Sequence, residues 1–220
     1  MNRRTLLRSM ALLGLASPFL SACMKRLPPP PGIKRGRGEI LVNGQPAPAG
    51  TPTSLGDRIE TGPQGEALFV IGDNAFLLRE SGRLDLTGKT ALEGFTLHKG
   101  ALLSVFGTGV KILRTPTATV GIRGTGVYLE ARSDSTYACT CYGTADLAAR
   151  ENPAIRETVV TEHHDAPRII RPHDAGWRIE AAPVVNHTDA ELILLESLVG
   201  REPPFVATGN LESYRRSDPP

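Results

Sequence analysis

The sequence predicts an all-β protein of many short antiparallel strands (sandwich, roll or solenoid-like) with one short C-terminal helix. Apolar runs of four to seven residues, rich in Val, Ile, Leu and Thr, recur between turn-formers from residue 38 to about residue 180. Across that stretch no i, i+3, i+4, i+7 apolar stripe escapes interruption by Gly or Pro. Gly and Pro number 23 and 18 in 220 residues, dispersed without the three-residue glycine period of collagen.

The elements follow in order. Residues 39–42 run into Asn43-Gly44, the dipeptide favoured in two-residue hairpin turns because both positions tolerate positive φ. Further strands are expected over 67–71 before Gly72-Asp73-Asn74 and over 75–79 before Ser81-Gly82. Others are expected over 101–106, 110–113, 118–122 and 127–131. A last strand over 176–180 carries Trp177 as a core anchor. Thr188-Asp189-Ala190-Glu191 has the order of a capping box ahead of residues 192–199, closed by Gly200. That predicts one helix of about 11 residues, with Leu192, Leu195 and Val199 packed on the β core. Residues 201–220 read as a frayed tail.

Residues 1–22 read as an export signal. Arg3, Arg4 and Arg8 precede a short apolar stretch over 10–20, which is too short to span a membrane as a helix. Leu20-Ser21-Ala22-Cys23 resembles the bacterial lipobox, which implies cleavage before Cys23 and a lipid on that residue. Asn2-Arg3-Arg4-Thr5-Leu6-Leu7 partly resembles a twin-arginine signal, leaving that route and the general secretory route both open. Met24, rather than Asp, follows the lipidated Cys, which favours the outer membrane, facing the periplasm. The formal charge of +2 belongs to this leader, since removing it leaves 22 basic against 23 acidic residues. A nucleic-acid partner is therefore not expected. Residues 23–37, with Pro28 to Pro31 in a row, read as a semi-rigid tether.

Three ordered blocks are distinctive: Gly56-Asp57-Arg58-Ile59-Glu60-Thr61-Gly62 with Gly65 to Val70, residues 97–106, and Thr115-Pro116-Thr117 through Gly121-Ile122-Arg123-Gly124-Thr125. Together they resemble the FecR domain, a periplasmic β-rich module first associated with iron-uptake signalling, over residues 38–131. The resemblance implies a binding or scaffolding unit. Such signalling proteins place a cytoplasmic anti-sigma segment and a membrane helix ahead of the domain. Here 37 residues precede it, taken up by leader and tether, so transcriptional signalling is not expected to carry over. Gly56, Asp57, Thr61 and Gly62 supply turn conformations around a short strand, and Pro116 fixes a strand entrance. Arg123 is read as a structural fork onto a carboxylate or carbonyls. The glycine order is not that of a dinucleotide loop.

Residues 132–187 form a β extension holding the chemistry-bearing side chains. Cys139 and Cys141 stand at i and i+2, on one face of a strand. Downstream lie Glu162-His163-His164-Asp165, His173 and His187, four of the five histidines. Cys139, Cys141, His163 and His164, with His173 as an alternate, form a candidate metal set for zinc or iron. A strained disulfide, buried small thiols and surface histidines remain alternatives. A nucleophile set of Cys141, His163 or His164, and Asp165 has no supporting motif, so no enzyme is expected. The functional expectation is a lipid-anchored, non-catalytic module that binds a periplasmic protein or a cell-wall component. A metal- or cofactor-binding protein is the alternative.

Overall fold

The computed structural model describes residues 30–89 and 92–209. The export signal, Cys23 and the four-proline run up to Pro29, together with residues 210–220, lie outside the described residues. Among the described residues the fold is all-β with helix near the C-terminal end, as the sequence predicts. Fourteen strands join one mostly antiparallel sheet, with a single parallel pairing among the described residues.

The chain enters the sheet earlier than expected. β1 (Gly32–Arg37) pairs with β5 (Glu66–Ile71), and Ile33 is fully buried. Residues 32–37, expected to belong to the tether, are therefore strand, because Ile33 is apolar enough to be drawn into the core. β2 (Ile40–Val42) and β3 (Gln45–Pro46) form the expected hairpin, with φ of 53° at Asn43 and 76° at Gly44. β4 (Arg58–Thr61), β6 (Asn74–Leu78), β7 (Arg83–Lys89) and β9 (Val110–Arg114) are short. β8 (Leu92–Val105), β10 (Ala118–Ala131) and β11 (Thr136–Ala149) are each 14 residues long.

Those three strands organise the molecule. The early part of β8 pairs with β7 and β9, and its end pairs with β6 and β10. β10 changes partners in the same way at Gly124, where φ is 59° and the register with β11 shifts between Arg123 and Gly126. The runs 118–122 and 127–131, expected as two strands, are thus one bulged strand. The border drawn at residue 131 is a hairpin within the same sheet, since β10 and β11 pair along their length. β12 (Arg156–Thr161) and β13 (Arg168–His173) pair with opposite ends of β11, and β14 (Gly176–Ala181) pairs with β13.

Alternation along the central strands feeds two apolar clusters. Phe69, Phe76, Leu78, Leu102 and Leu129 face the first, where Phe76 packs against the rings of Phe69, Phe95 and Phe106 at 5.0–5.6 Å. Leu68, Val70, Leu77, Leu103, Tyr128, Cys139 and Cys141 face the second. Both faces of these strands are covered, which is why they read as unbroken apolar runs. Trp177 is only half-buried, packed at the margin of the first cluster, and so is not the anchor expected of it.

The second cluster is covered by α1 (Asp189–Leu198), which starts at the Thr188 capping box and buries Leu192 and Leu195 completely. A short α2 (Pro204–Ala207) follows, with Phe205 2% exposed. This part of the expected tail is ordered by the burial of that one ring. No helix among the described residues is long and apolar enough to cross a membrane.

The residues of the distinctive blocks act structurally. Asp57 accepts from Ser54 N at 2.7 Å and from Asn43 Nδ2 at 2.8 Å, tying two turns together. Thr61 donates to Arg79 O at 2.5 Å and accepts from Gly82 N at 2.9 Å. Thr115 and Thr117 each meet the hydroxyl of Thr136 at 2.6 Å in a buried threonine cluster around Pro116. Thr125 donates to Arg123 O and Thr144 O, both at 3.0 Å, pinning the bulge. Arg123 reaches a carboxylate, Asp146, at 3.9 Å, in a pair exposed at 69% and 50%.

Candidate functional site

Cys139 and Cys141 point from β11 into the second cluster, both 0% exposed and both free thiols. The alternation of the strand places them on one face, as their spacing implies. The disulfide alternative is not what the structure contains.

The turn after β12 brings in the histidines. Asp165 accepts from Thr161 Oγ1 at 2.7 Å, Glu162 N at 3.2 Å and His163 N at 3.4 Å. The Thr161 hydroxyl first, then these backbone amides, hold its carboxyl below the usual range. Asp165 is thus occupied in fixing its own loop. Within that loop His164 takes a left-handed φ of 52° and donates its N–H to Cys141 O at 3.0 Å. Such a conformation costs a non-glycine residue about 1–3 kcal/mol, and it persists because the surrounding bonds impose it. Its effect is to turn the His164 ring inward, with Nδ1 3.5 Å from Cys139 Sγ.

His187 arrives from the segment between β14 and α1. Tyr137 holds that segment, donating its hydroxyl to Pro183 O at 2.9 Å and accepting from Val185 N at 3.3 Å. Asn186 also takes a left-handed φ, of 61°, with its side chain bonded to Glu130 Oε1 at 2.7 Å. The His187 ring stacks on Tyr128 at 4.5 Å, and its Nε2 meets His164 Nδ1 at 3.0 Å.

Hydrogen bonds fix the tautomers. His187 donates Nδ1–H to Val185 O at 2.7 Å, and His164 donates Nε2–H to Asp189 Oδ1 at 3.0 Å. In the neutral rings the lone pairs therefore sit on His187 Nε2 and His164 Nδ1, which face each other. Asp189 occupies the first helical position of α1, where the positive end of the helix dipole favours a carboxylate. It also receives His163 Nε2, at 2.9 and 3.0 Å from its two oxygens.

Of the predicted set, Cys139, Cys141 and His164 come together and His163 does not join them. The His163 ring lies 4.7 Å from that of His164 and 4.5 Å from that of Phe205, bordering a cavity of about 300 Å³ beside Tyr142, Glu162 and Thr208. Both rings bring Nε2 to Asp189, and the other nitrogen of His164, not of His163, meets the Cys139 sulfur. His173, the alternate, is exposed at the end of β13. The place is taken by His187, which lies outside the set the sequence predicts, and Asp189, expected only within a helix cap, joins the neighbouring group. No local motif marks either one.

One donor atom from each of Cys139, Cys141, His164 and His187 lies within 4.8 Å of the other three. His163, His164 and Asp189 form a second, overlapping group. Electrostatics inside the first group are uneven. The Cys139 thiol is held well below its ordinary range by the hydrogen bond from Cys141, with His164 and His187 adding to it against the cost of burial. Burial pushes Cys141 well above, and the sulfur of Cys139 adds to that. Burial opposes the charged form of His164, but Cys139 and Asp189 outweigh it and raise its pKa. The arrangement thus supports either one proton shared among Cys139, His164 and His187, or one cation bound by all four side chains.

No family model matches the chain, and no curated protein matches it. Solved structures that resemble the chain include two of a candidate anti-sigma factor from Parabacteroides distasonis. The first is 11% identical with a TM-score of 0.48, covering 56% of this chain and 59% of its own. The second is 10% identical with a TM-score of 0.48, covering 62% of this chain and 71% of its own. The chain spans about three-fifths of the length of the first.

Proposed function

We propose that this chain is a lipid-anchored, periplasm-facing module of the FecR type that binds or scaffolds a periplasmic protein or cell-wall component and does not catalyse a reaction. The observation that carries the non-catalytic reading is the closure of the Cys/His cluster. Cys139, Cys141, His164 and His187 are 0%, 0%, 2% and 1% exposed beneath the C-terminal helices. A nucleophile or catalytic metal needs an open position for substrate, whereas a structural centre is closed on all sides. The residues that carry the resemblance, from Gly56 to Thr125, are spent on turns, a bulge and buried threonine bonds, which suits a rigid scaffold. Anchoring and location rest on the lipobox-like Leu20-Ser21-Ala22-Cys23.

Fractionation of a Gram-negative host expressing the full chain from its own leader tests the placement. The wild type should pellet with outer membranes and become protease-sensitive only when that membrane is permeabilised, while Cys23→Ser should be soluble in the periplasm. Retention in the cytoplasm, or membrane association that survives Cys23→Ser, would overturn it.

A further inference from the structure

We propose that Cys139, Cys141, His164 and His187 bind one zinc ion in a closed tetrahedral site, and that the ion locks the C-terminal segment over the sheet. This goes beyond the scaffolding reading and does not depend on it.

Donor chemistry comes first. Two thiols and two imidazoles are the ligand set of a structural zinc site, and four-coordinate S₂N₂ geometry selects zinc over oxygen-loving cations. Distances agree. Zinc–sulfur and zinc–nitrogen bonds of about 2.3 and 2.05 Å make a tetrahedron with S···N edges near 3.6 Å and an N···N edge near 3.3 Å. Cys139 Sγ to His164 Nδ1 is 3.5 Å and His164 Nδ1 to His187 Nε2 is 3.0 Å.

Ligand orientation is the second argument. Metal-bound histidines hold their other ring nitrogen on a carboxylate or a backbone carbonyl. Here His164 gives Nε2–H to Asp189 Oδ1 at 3.0 Å and His187 gives Nδ1–H to Val185 O at 2.7 Å. The two remaining nitrogens meet at 3.0 Å, with His164 Nδ1 also 3.5 Å from the buried sulfur of Cys139. Two left-handed residues, His164 and Asn186, serve that convergence.

Charge is the third. A dication with two thiolates and two neutral imidazoles is net neutral, as a fully buried centre requires. Binding displaces the thiol protons to solvent and consumes no oxidant or reductant.

The ligands come from three places: β11, the turn after β12, and the segment before α1. Only His187 belongs to the C-terminal segment, so the ion adds a coordinate link between that segment and the sheet to the hydrogen bonds of Tyr137 and Asn186. Asp189 adds a second tie from the first turn of α1 to both His163 and His164.

The full chain, expressed from its own leader, purified, loaded with zinc alone and desalted, should carry one equivalent of zinc. Cys139→Ser/Cys141→Ser and His187→Ala should each retain less than a tenth of an equivalent, while His163→Ala and His173→Ala should still bind one. Since ligand variants can fail through misfolding, cobalt exchange into the wild type supplies a second readout, the intense visible bands of tetrahedral thiolate-bound cobalt. Trypsin cleavage after Arg201 should run at least tenfold faster after chelation and return to its original rate when zinc is restored. Less than a tenth of an equivalent in the wild type, with both thiols free, would sink the site. Loss of zinc in His163→Ala with retention in His187→Ala would overturn the ligand set. One equivalent of zinc with an unchanged cleavage rate would overturn the lock.

Discussion

Arg79, at the end of the strand that precedes Ser81-Gly82, donates to Glu191 Oε1 on α1 at 2.7 Å, while Glu191 Oε2 accepts from Thr188 N at 3.1 Å. One carboxylate therefore both completes the helix cap and fastens the helix to the sheet. Arg79 is 9% exposed and also pairs with Glu66 at 3.0 Å, so its charge is compensated from two sides. Glu191→Gln keeps a cap acceptor and loses the charge, and it should cost about 1 kcal/mol. Glu191→Ala loses cap and partner together and should cost about 2–3 kcal/mol. Urea midpoints of the two variants check this; equal losses would mean the cap contributes nothing.

Further along α1, Glu196 is 4% exposed and takes both a hydrogen bond from the Tyr142 hydroxyl and an ion pair from Arg201 Nε at 2.6 Å. Burial first, then the Glu196 carboxylate, pushes the phenol of Tyr142 far above its ordinary range, so it stays a donor at any physiological pH. Tyr142→Phe removes one of the two partners and should cost about 1 kcal/mol. Glu196→Ala leaves Arg201 without its carboxylate and should cost about 3 kcal/mol. Thermal unfolding at neutral pH reads both, and a larger loss in Tyr142→Phe would reverse the assignment of the carboxylate as the hub.

How much of this was legible in the sequence follows the range of the interaction. The Asn43-Gly44 hairpin and the Thr188 capping box are local rules, and both are found where those residues stand. β10 was read as two strands because Gly124 looks like a terminator, whereas its positive φ lets the strand bend and change partners without ending. β1 was hidden by its basic residues, since only Ile33 on it is a large buried apolar side chain. The site was half legible. Alternation puts Cys139 and Cys141 on one face, but choosing His164 over His163 depends on one left-handed residue, and His187 arrives from 46 residues beyond Cys141. Those are outcomes of tertiary packing, which no spacing encodes.

Two glycines separate backbone strain from crowding. Gly44 has φ 76° with nothing within 4 Å of an added Cβ, so Gly44→Ala should cost about 1 kcal/mol from conformation alone. Gly143 has φ 91°, and a Cβ there would stand 2.9 Å from Thr125 Oγ1 and 3.0 Å from Gly124 O. Gly143→Ala should therefore cost about 3 kcal/mol or more, because the pinned bulge must shift. Denaturant unfolding of the pair gives the difference; equal losses would show that the bulge yields freely.

Acid sensitivity has an identifiable source at Asp85. Arg58 donates to it from Nε at 2.7 Å and from Nη2 at 3.1 Å, and His98 Nε2 stands 2.9 Å away. Arg58 first, and then His98, hold the carboxyl at about 2, against 3.8 for an ordinary aspartate. A carboxyl depressed in the folded state stabilises the fold above its unfolded pKa, and that contribution is lost as pH falls from there through about 2. The pair lies near the surface, with Arg58 42% exposed, so salt should weaken it. In Arg58→Ala the Asp85 midpoint, followed by carboxyl carbon NMR, should climb from about 2 toward 3.8. The stability gap between wild type and variant should then close as pH is lowered across that interval. A midpoint unmoved by the substitution would assign the depression to His98 instead, and His98→Ala would then be the variant that shifts it.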